Sequence, residues 1–65
     1  MKHVVLIRTD DMARMYGQVA CEGEYGRTPD TDIVSGLKNF AEHNIDTIKE
    51  YQIIINGHIA YTGCT

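Results

Sequence analysis

Five side chains could bind a transition metal: the imidazoles of His3, His43 and His58 and the thiols of Cys21 and Cys64. Zinc sites usually take ligands in close pairs such as C-x2-4-C or H-x3-5-H, because a tight loop places two ligands at once. No two of these five residues are arranged in that way. The sequence therefore predicts solvated histidines and packed thiols rather than a metal site.

Catalysis could use a nucleophile or a carboxylate cluster. Cys21 with a histidine as base would be a nucleophile, but no local motif surrounds it, and a lone cysteine in a strand usually packs. Asp10 and Asp11 could join Glu22 or Glu24 to hold Mg²⁺ or act as acid and base. Paired acids at a turn more often act as caps or face solvent. We therefore expect no catalytic residue, no metal and no cofactor, and a protein that is not an enzyme.

The charge balance is mildly acidic. Six Lys and Arg stand against nine Asp and Glu, which gives a net charge of −3 and a pI near 5.4. Nucleic-acid binders usually cluster basic side chains on one face. Here they are scattered, at Lys2, Arg8, Arg14, Arg27, Lys38 and Lys49. Direct binding to DNA or RNA is therefore disfavoured.

The negative charge is concentrated in residues 22–32. Four acids surround two residues of types that often anchor interfaces: Glu22, Glu24, Asp30 and Asp32 surround Tyr25 and Arg27. Clustered negative charge steers association toward a basic surface. We predict an acidic recognition loop suited to a groove that normally holds nucleic acid, on a host nucleic-acid-handling enzyme or complex. A loop that is only solvated is the competing interpretation.

The length of 65 residues allows one domain, residues 1–65, with a small core. Such a core barely offsets the entropy lost on folding, so help from a partner subunit or ligand is expected. No apolar run approaches the roughly 20 residues of a membrane span. Asp10 and Asp11 also interrupt the first apolar run before a signal-peptide core could form. We expect a cytoplasmic protein with no membrane contact and with free thiols, a single disulfide being the alternative.

Residues 3–8, HVVLIR, are apolar on both faces and predict a central strand. Residues 9–25 leave two interpretations open. One is a two-turn helix that begins after Thr9 and stops at Gly17. The other, which we favour, is a turn followed by a strand over residues 14–22.

Residues 23–30 contain two glycines and a proline and predict a loop. Asp30 or Thr31 then caps a helix. Its apolar stripe has helical spacing: Ile33, Val34, Leu37, Phe40 and Ala41. We expect Gly36 to let the helix approach a sheet closely, and Asn44 to end the helix as a left-handed cap.

The most specific structural motif is a hairpin. YQIII and HIAYTG flank Asn56-Gly57, the dipeptide that favours a type I′ turn. A two-residue loop fixes the register, which predicts that Ile54 faces Ile59, Ile53 faces Ala60 and Gln52 faces Tyr61.

The element order predicts an α+β fold: a single small ββαββ domain whose four-stranded sheet has one helix packed on one face. A helix crossover favours the first and last strands side by side and parallel in the centre. The layout resembles, in architecture and size only, the small immunoglobulin-binding domains of streptococcal surface proteins.

One helix can cover only one face of the sheet, yet the first strand and the hairpin are apolar on both faces. If the helix covers Val5, Ile7, Ile53, Ile55 and Ala60, the predicted uncovered set is Val4, Leu6, Ile54, Ile59 and Tyr61. The reversed assignment would still leave an apolar set uncovered. Its exposed area would exceed what a monomer usually tolerates, so we predict a protein interface there, with a second copy or with another protein. The alternative is that residues 9–22 fold over this face as a short helix.

These features predict a non-enzymatic protein-binding module. In size and acidity the chain is similar to accessory proteins of bacteriophages and mobile elements, many of which inhibit or modulate a host protein by occupying its surface. A homodimer is expected. The alternative is a homo-oligomer that binds a nucleotide or metabolite between subunits, held by Tyr16, Tyr25, Tyr61 and Arg27.

Overall fold

The computed structural model describes residues 1–43 and 48–64. Six elements follow one another: β1 (Lys2–Arg8), α1 (Ala13–Tyr16), β2 (Val19–Tyr25), α2 (Asp30–His43), β3 (Glu50–Ile55) and β4 (His58–Cys64). The strands form one sheet in the order β2-β1-β3-β4, with every neighbouring pair antiparallel. Helix α2 packs on one face. The predicted α+β fold of ββαββ order is confirmed, with α1 as a short additional helix.

The centre of the sheet differs from the prediction. We expected the first and last strands to be central and parallel, but β1 pairs antiparallel with β3, and β4 lies at an edge. Strand β3 buries Tyr51, Ile53 and Ile55, whereas within β4 only Gly63 is buried. The more apolar strand of the hairpin therefore takes the central position, where both of its faces are shielded. The resemblance to immunoglobulin-binding domains ends at the order of elements.

The turn between β3 and β4 forms as predicted. Asn56 and Gly57 have φ angles of 51° and 81°, the left-handed conformation that a type I′ turn requires at both central positions. The turn is also tied to β1. Asn56 N donates to His3 O at 2.8 Å, and His3 N donates to Asn56 Oδ1 at 3.0 Å.

The hairpin register follows the prediction only next to the turn. Ile54 pairs with Ile59 as expected, but Ile53 pairs with Tyr61 rather than with Ala60. The shift is a bulge at Ala60, which adds one residue to β4. Because side chains alternate along a strand, the bulge brings Tyr61 to the same face as Ile53.

Both interpretations of residues 9–25 are partly right. Helix α1 is a single turn that buries none of its residues, and a strand follows it. That strand, β2, starts at Val19 and continues to Tyr25, because it pairs along β1 as far as Lys2. Residues 23–25, predicted as loop, are therefore strand, and the connection to α2 is residues 26–29.

Of the predicted stripe, helix α2 buries Ile33, Leu37 and Ala41, whereas Val34 is half-buried and Phe40 is exposed. Its first hydrogen bonds are accepted by Pro29 O, so the helix is capped one residue earlier than the predicted Asp30. The expected close approach at Gly36 is wrong, because this residue is exposed and an added Cβ would meet no heavy atom within 4 Å. The predicted cap at Asn44 lies outside the described residues. In the described part of the chain, no helix is long and apolar enough to cross a membrane.

The core lies between α2 and the sheet face that α2 covers, which we call the covered face. Tyr51 is the largest fully buried side chain. Its ring packs on Gly63 of β4, where an added Cβ would overlap the ring. The Tyr51 hydroxyl donates a hydrogen bond to Glu42 Oε2 of α2 at 2.8 Å. Tyr51 therefore contacts both α2 and the neighbouring strand β4.

Candidate functional site

The opposite face of the sheet, which we call the open face, carries an apolar patch. Register and alternation place five side chains on it: Val5, Ile7, Val19, Ile54 and Ile59. Val5 pairs with Ile54 and Ile54 with Ile59, so three neighbouring strands share one apolar row. Ile59 is 61% exposed and Val19 53% exposed, and the other three are half-buried. Contiguous apolar surface rimmed by polar residues is typical of an interaction site.

Two of the five predicted interface residues, Ile54 and Ile59, lie on this face. The predicted positions of the other three are wrong. Val4 and Leu6 are 1% and 0% exposed under α2, and Tyr61 packs against the same core. The error has two causes: the first strand pairs with β3 rather than with β4, and the bulge in β4 reverses the side on which Tyr61 lies.

Residues 9–22 do not cover the open face. Met15 and Tyr16 of α1 are exposed, and Val19 is itself part of the apolar patch. The Tyr16 ring lies 5.4 Å from the Arg8 guanidinium, and Arg8 belongs to the covered face, in the same alternation as Leu6. Helix α1 thus packs at the end of the covered face, and the alternative of a short covering helix is wrong.

Part of the predicted acidic loop lies on the open face. Val5 pairs with Glu22 and His3 with Glu24, so both glutamates border the apolar patch. His3 Nε2 lies 2.9 Å from Glu22 Oε2, and His3 Nδ1 lies 3.6 Å from Glu24 Oε1. The apolar surface and part of the acidic surface, which the sequence analysis predicted as two separate surfaces, are therefore adjacent.

The other residues of the predicted loop lie elsewhere. Tyr25 packs against the core from the covered face, and Arg27 is exposed in the connection before α2. Asp30 Oδ1 forms an ion pair with Lys2 Nζ at 2.6 Å, and Asp32 is exposed in the first helical turn. The six residues are thus divided among β2, the connection and α2, and they do not form one loop.

Of the acids considered for catalysis, Asp10 is held by structural contacts. Arg8 Nε lies 3.1 Å from Asp10 Oδ1, and each side chain is 7% exposed. The other carboxylate oxygen, Asp10 Oδ2, accepts a hydrogen bond from Lys49 N at 3.1 Å. Asp10 therefore joins the end of β1 to the segment before β3. Asp11 is exposed beside it.

Among residues 1–43 and 48–64, no group of three or more His, Cys, Asp or Glu side chains could hold a metal ion. Both cysteines are free thiols; Cys21 is half-buried on the covered face, and Cys64 is exposed at the end of β4.

The predicted uncovered set missed Val5, Ile7 and Val19, and sequence reasoning also missed Glu42 as the partner of Tyr51. Burial raises the pKa of the Tyr51 phenol, and the Glu42 carboxylate raises it further. The alternation of glutamates with Cys21, Gly23 and Tyr25 would place Val19 on the covered face. A bulge at Ala20 brings Val19 to the open face instead, and the sequence carries no signal for that bulge. No signal links Glu42 to Tyr51 either, because that contact depends on how the helix docks.

No family model, curated protein or solved structure gives a significant match to this chain. We therefore infer its function from the chemistry of its surfaces.

Proposed function

We propose that this protein is a non-enzymatic binding module that docks its open face on another protein. The observation that carries the proposal is the exposure of Ile59 and Val19 on the same face as three half-buried aliphatic residues. Covering several hundred Å² of such surface, at about 25 cal/mol per Å², would contribute several kcal/mol to binding. That gain would offset a substantial part of the translational and rotational entropy that association loses.

The charge around the patch supports a basic partner. Glu22 and Glu24 border the apolar residues, with only His3 between them. No open-face position of the four described strands is Lys or Arg. A second copy docked face to face would therefore bring no Lys or Arg to these glutamates. A foreign protein whose apolar surface is bordered by Lys and Arg would complement both features.

This chemistry supports the role of an inhibitor or modulator that blocks a host protein by steric occlusion. Basic borders are typical of enzymes that handle nucleic acid, which favours the proposed targets. The chain is similar in size and acidity to accessory proteins of bacteriophages and mobile elements, many of which act in this way. We further propose that the protein acts in the cytoplasm, which the free thiols of Cys21 and Cys64 support. The homodimer expected from the sequence is the competing outcome of the binding experiments.

The alternative of a nucleotide or metabolite site between subunits has no observation in its favour. Tyr16 lies over Arg8, Tyr25 lies on β2, and Tyr61 lies under Lys38, whose Nζ is 5.6 Å from the ring centroid. The three rings are in different parts of the subunit, so one subunit does not assemble them around a ligand. This alternative stays a prediction.

The proposal is tested by site-specific crosslinking followed by quantitative binding. A photoreactive phenylalanine analogue replaces Ile59 on the open face or, as a control, Met15 on α1, which is 74% exposed. We expect position 59 to crosslink a discrete foreign protein that position 15 does not capture. The captured protein is then purified and titrated against the unlabelled chain.

The titration gives the decisive comparison. Ile59→Thr removes apolar surface from the open face and keeps a β-branched residue in the strand. It should weaken binding at least about tenfold, a loss of about 1.4 kcal/mol, whereas Met15→Thr should leave the affinity unchanged. Equal affinities for the two variants, or crosslinking of position 59 only to a second copy, would refute the proposed function.

A further inference from the structure

The outer edge of β2 offers a second binding surface, separate from the apolar patch. Strand β2 lies at one edge of the sheet, and it pairs only with β1 among the described residues. Edge strands are commonly guarded by charged residues, above all Lys, by Pro or by bulges. The sequence of β2, VACEGEY, has neither Lys nor Pro, and its charged side chains are Glu22 and Glu24. The bulge in β2 lies at Ala20, so residues 21–25 stay in regular register. These five residues form an extended edge that another strand could join.

The main-chain groups on this edge can be assigned. Arg8 N donates a hydrogen bond to Gln18 O at 2.7 Å. Main-chain groups alternate in direction along an antiparallel strand, so the even-numbered residues of β1 direct their N–H and C=O groups toward β2. The register pairs those β1 residues with Cys21, Gly23 and Tyr25. The intervening residues Glu22 and Glu24 therefore present their N–H and C=O groups at the outer edge.

A groove runs beside this edge on the covered face. It has a volume of about 400 Å³, and its apolar lining includes Cys21, Tyr25, Ile33, Leu37 and Phe40. The groove exists because α2 packs mainly against β3 and β4 and leaves the β2 side less covered. Phe40, on the same helix face as the core residue Leu37, is 42% exposed there. An apolar side chain entering the groove would cover this ring.

We propose that β2 binds an extended segment of a partner protein by strand addition, and that the segment alternates apolar and basic side chains. Successive side chains of an added strand point to opposite faces of the sheet. One set would enter the β2–α2 groove, whose lining is apolar. The other set would lie on the open face beside Glu22 and Glu24. The segment alternates apolar and basic residues because the covered face beside β2 is apolar and the open face beside β2 is acidic.

A second copy of β2 is a poorer occupant of this edge. Antiparallel pairing of two β2 strands centred at Gly23 would place Glu22 opposite Glu24 of the other copy. Pairing centred one residue earlier would place Glu22 opposite Glu22. Like charges directly opposite each other destabilise a strand pair. A basic segment turns the same glutamates into favourable partners, so the charge pattern selects a foreign strand over self-pairing.

The test uses the intact chain and a defined probe, the capped heptapeptide Lys-Val-Lys-Val-Lys-Val-Lys with a fluorescent label. A peptide with Glu in place of every Lys is the charge control, and one with the same composition but its lysines and valines in separate blocks is the pattern control. We expect saturable binding of the alternating basic peptide alone, weakened by salt. Hydrogen exchange should show new protection of the Glu22 and Glu24 amides in the complex.

Two pairs of variants locate the site. Glu24→Gln keeps the outward N–H and removes one charge, whereas Glu24→Pro removes both; the proline variant should bind at least about tenfold more weakly than the glutamine variant. Gly36 lines the groove, and an added Cβ there meets nothing within 4 Å. Gly36→Arg should therefore fold, fill the groove and weaken binding about tenfold, while Gly36→Ala should bind like the parent.

Three results would overturn the inference: no saturable binding of the basic peptide, equal binding of the separated-block peptide, or binding that Glu24→Pro and Gly36→Arg leave unchanged. Dimerisation through β2, seen as protection of the same amides without peptide, would replace the foreign strand with a second copy. The open-face proposal is judged separately, because Ile59→Thr should leave peptide binding unchanged.

Discussion

The two faces of the sheet are built from the same kinds of residues and end in different environments. Val4 and Ile53 on the covered face are 1% and 0% exposed, whereas their neighbours Val5 and Ile54 on the open face are only half-buried. Residue type therefore does not distinguish the faces. The position of α2 does, since its stripe of Ile33, Leu37 and Ala41 packs on one face alone.

The difference shows which aliphatic residues stabilise the fold by burial and which stay partly exposed to water. A residue on the covered face contributes to folding through transfer from water and through close packing. A half-buried residue on the open face contributes less to folding, and its remaining apolar surface would leave water only if another surface covered it. Substitutions that are equal in chemistry but lie on opposite faces should therefore differ sharply in their effect on stability.

The largest difference is expected between Ile53→Ala and Ile54→Ala. The first removes a fully buried side chain and should lower the free energy of unfolding by about 2–5 kcal/mol, because a cavity remains in the core. The second should cost about 1 kcal/mol, since water already reaches that side chain. Urea unfolding followed by circular dichroism measures both. Equal losses would contradict the assignment of the faces.

The next effect concerns the contact between Tyr51 and Gly63. Gly63→Ala should destabilise the fold by about 1–3 kcal/mol, because the new methyl group overlaps the buried ring of Tyr51. Gly23→Ala is the matched control in β2, where an added Cβ meets nothing within 4 Å. Its unfolding midpoint should stay close to that of the parent. A silent Gly63→Ala would show that the ring does not pack there.

A smaller effect should appear in alkaline solution. The pKa of Tyr51 is raised in the folded state by burial and then by Glu42. The unfolded phenol ionises near pH 10 while the folded one keeps its proton. The contribution of Tyr51 to the free energy of unfolding is thus fully present below about pH 10. Above that pH the free energy of unfolding falls, by up to about 1.4 kcal/mol per pH unit. Tyr51→Phe should remove that part of the pH dependence; an unchanged alkaline slope would rule out the shift.

The smallest effect is a gain in stability. Gly36 is exposed in the interior of α2, and an added Cβ meets no atom. Gly36→Ala should stabilise the fold by about 0.5–1 kcal/mol, because alanine loses less backbone entropy in a helix. The expected result is a higher thermal midpoint in calorimetry. A lower midpoint would instead support the close helix–sheet approach that the sequence suggested.

Local signals predicted much of this fold. Asn56-Gly57 determined the hairpin turn, and the stripe from Ile33 to Ala41 determined α2, because both depend on residues near in sequence. The open-face positions of Ile54 and Ile59 followed from the hairpin register beside that turn.

Features that depend on distant contacts were not predictable in the same way. The extension of β2 to Tyr25 requires pairing with Lys2, and the bulge at Ala60 has no distinctive sequence. The choice of central strand was more accessible: β4 contains Thr62 and Gly63, whereas β3 ends in three consecutive isoleucines. The face that α2 covers could not be chosen from the sequence, because both faces of β1 are apolar.

The measurement that tests the central claim most directly is the solution mass by light scattering, from micromolar to near-millimolar concentration, with binding of the neutral dye Nile red to the same samples. If the open face binds a foreign partner, the chain alone should stay monomeric and bind the dye. Ile59→Thr should then reduce the dye signal, whereas Met15→Thr should leave it unchanged. A stable dimer that Ile59→Thr dissociates would show that a second copy occupies the face, which would contradict a foreign partner there.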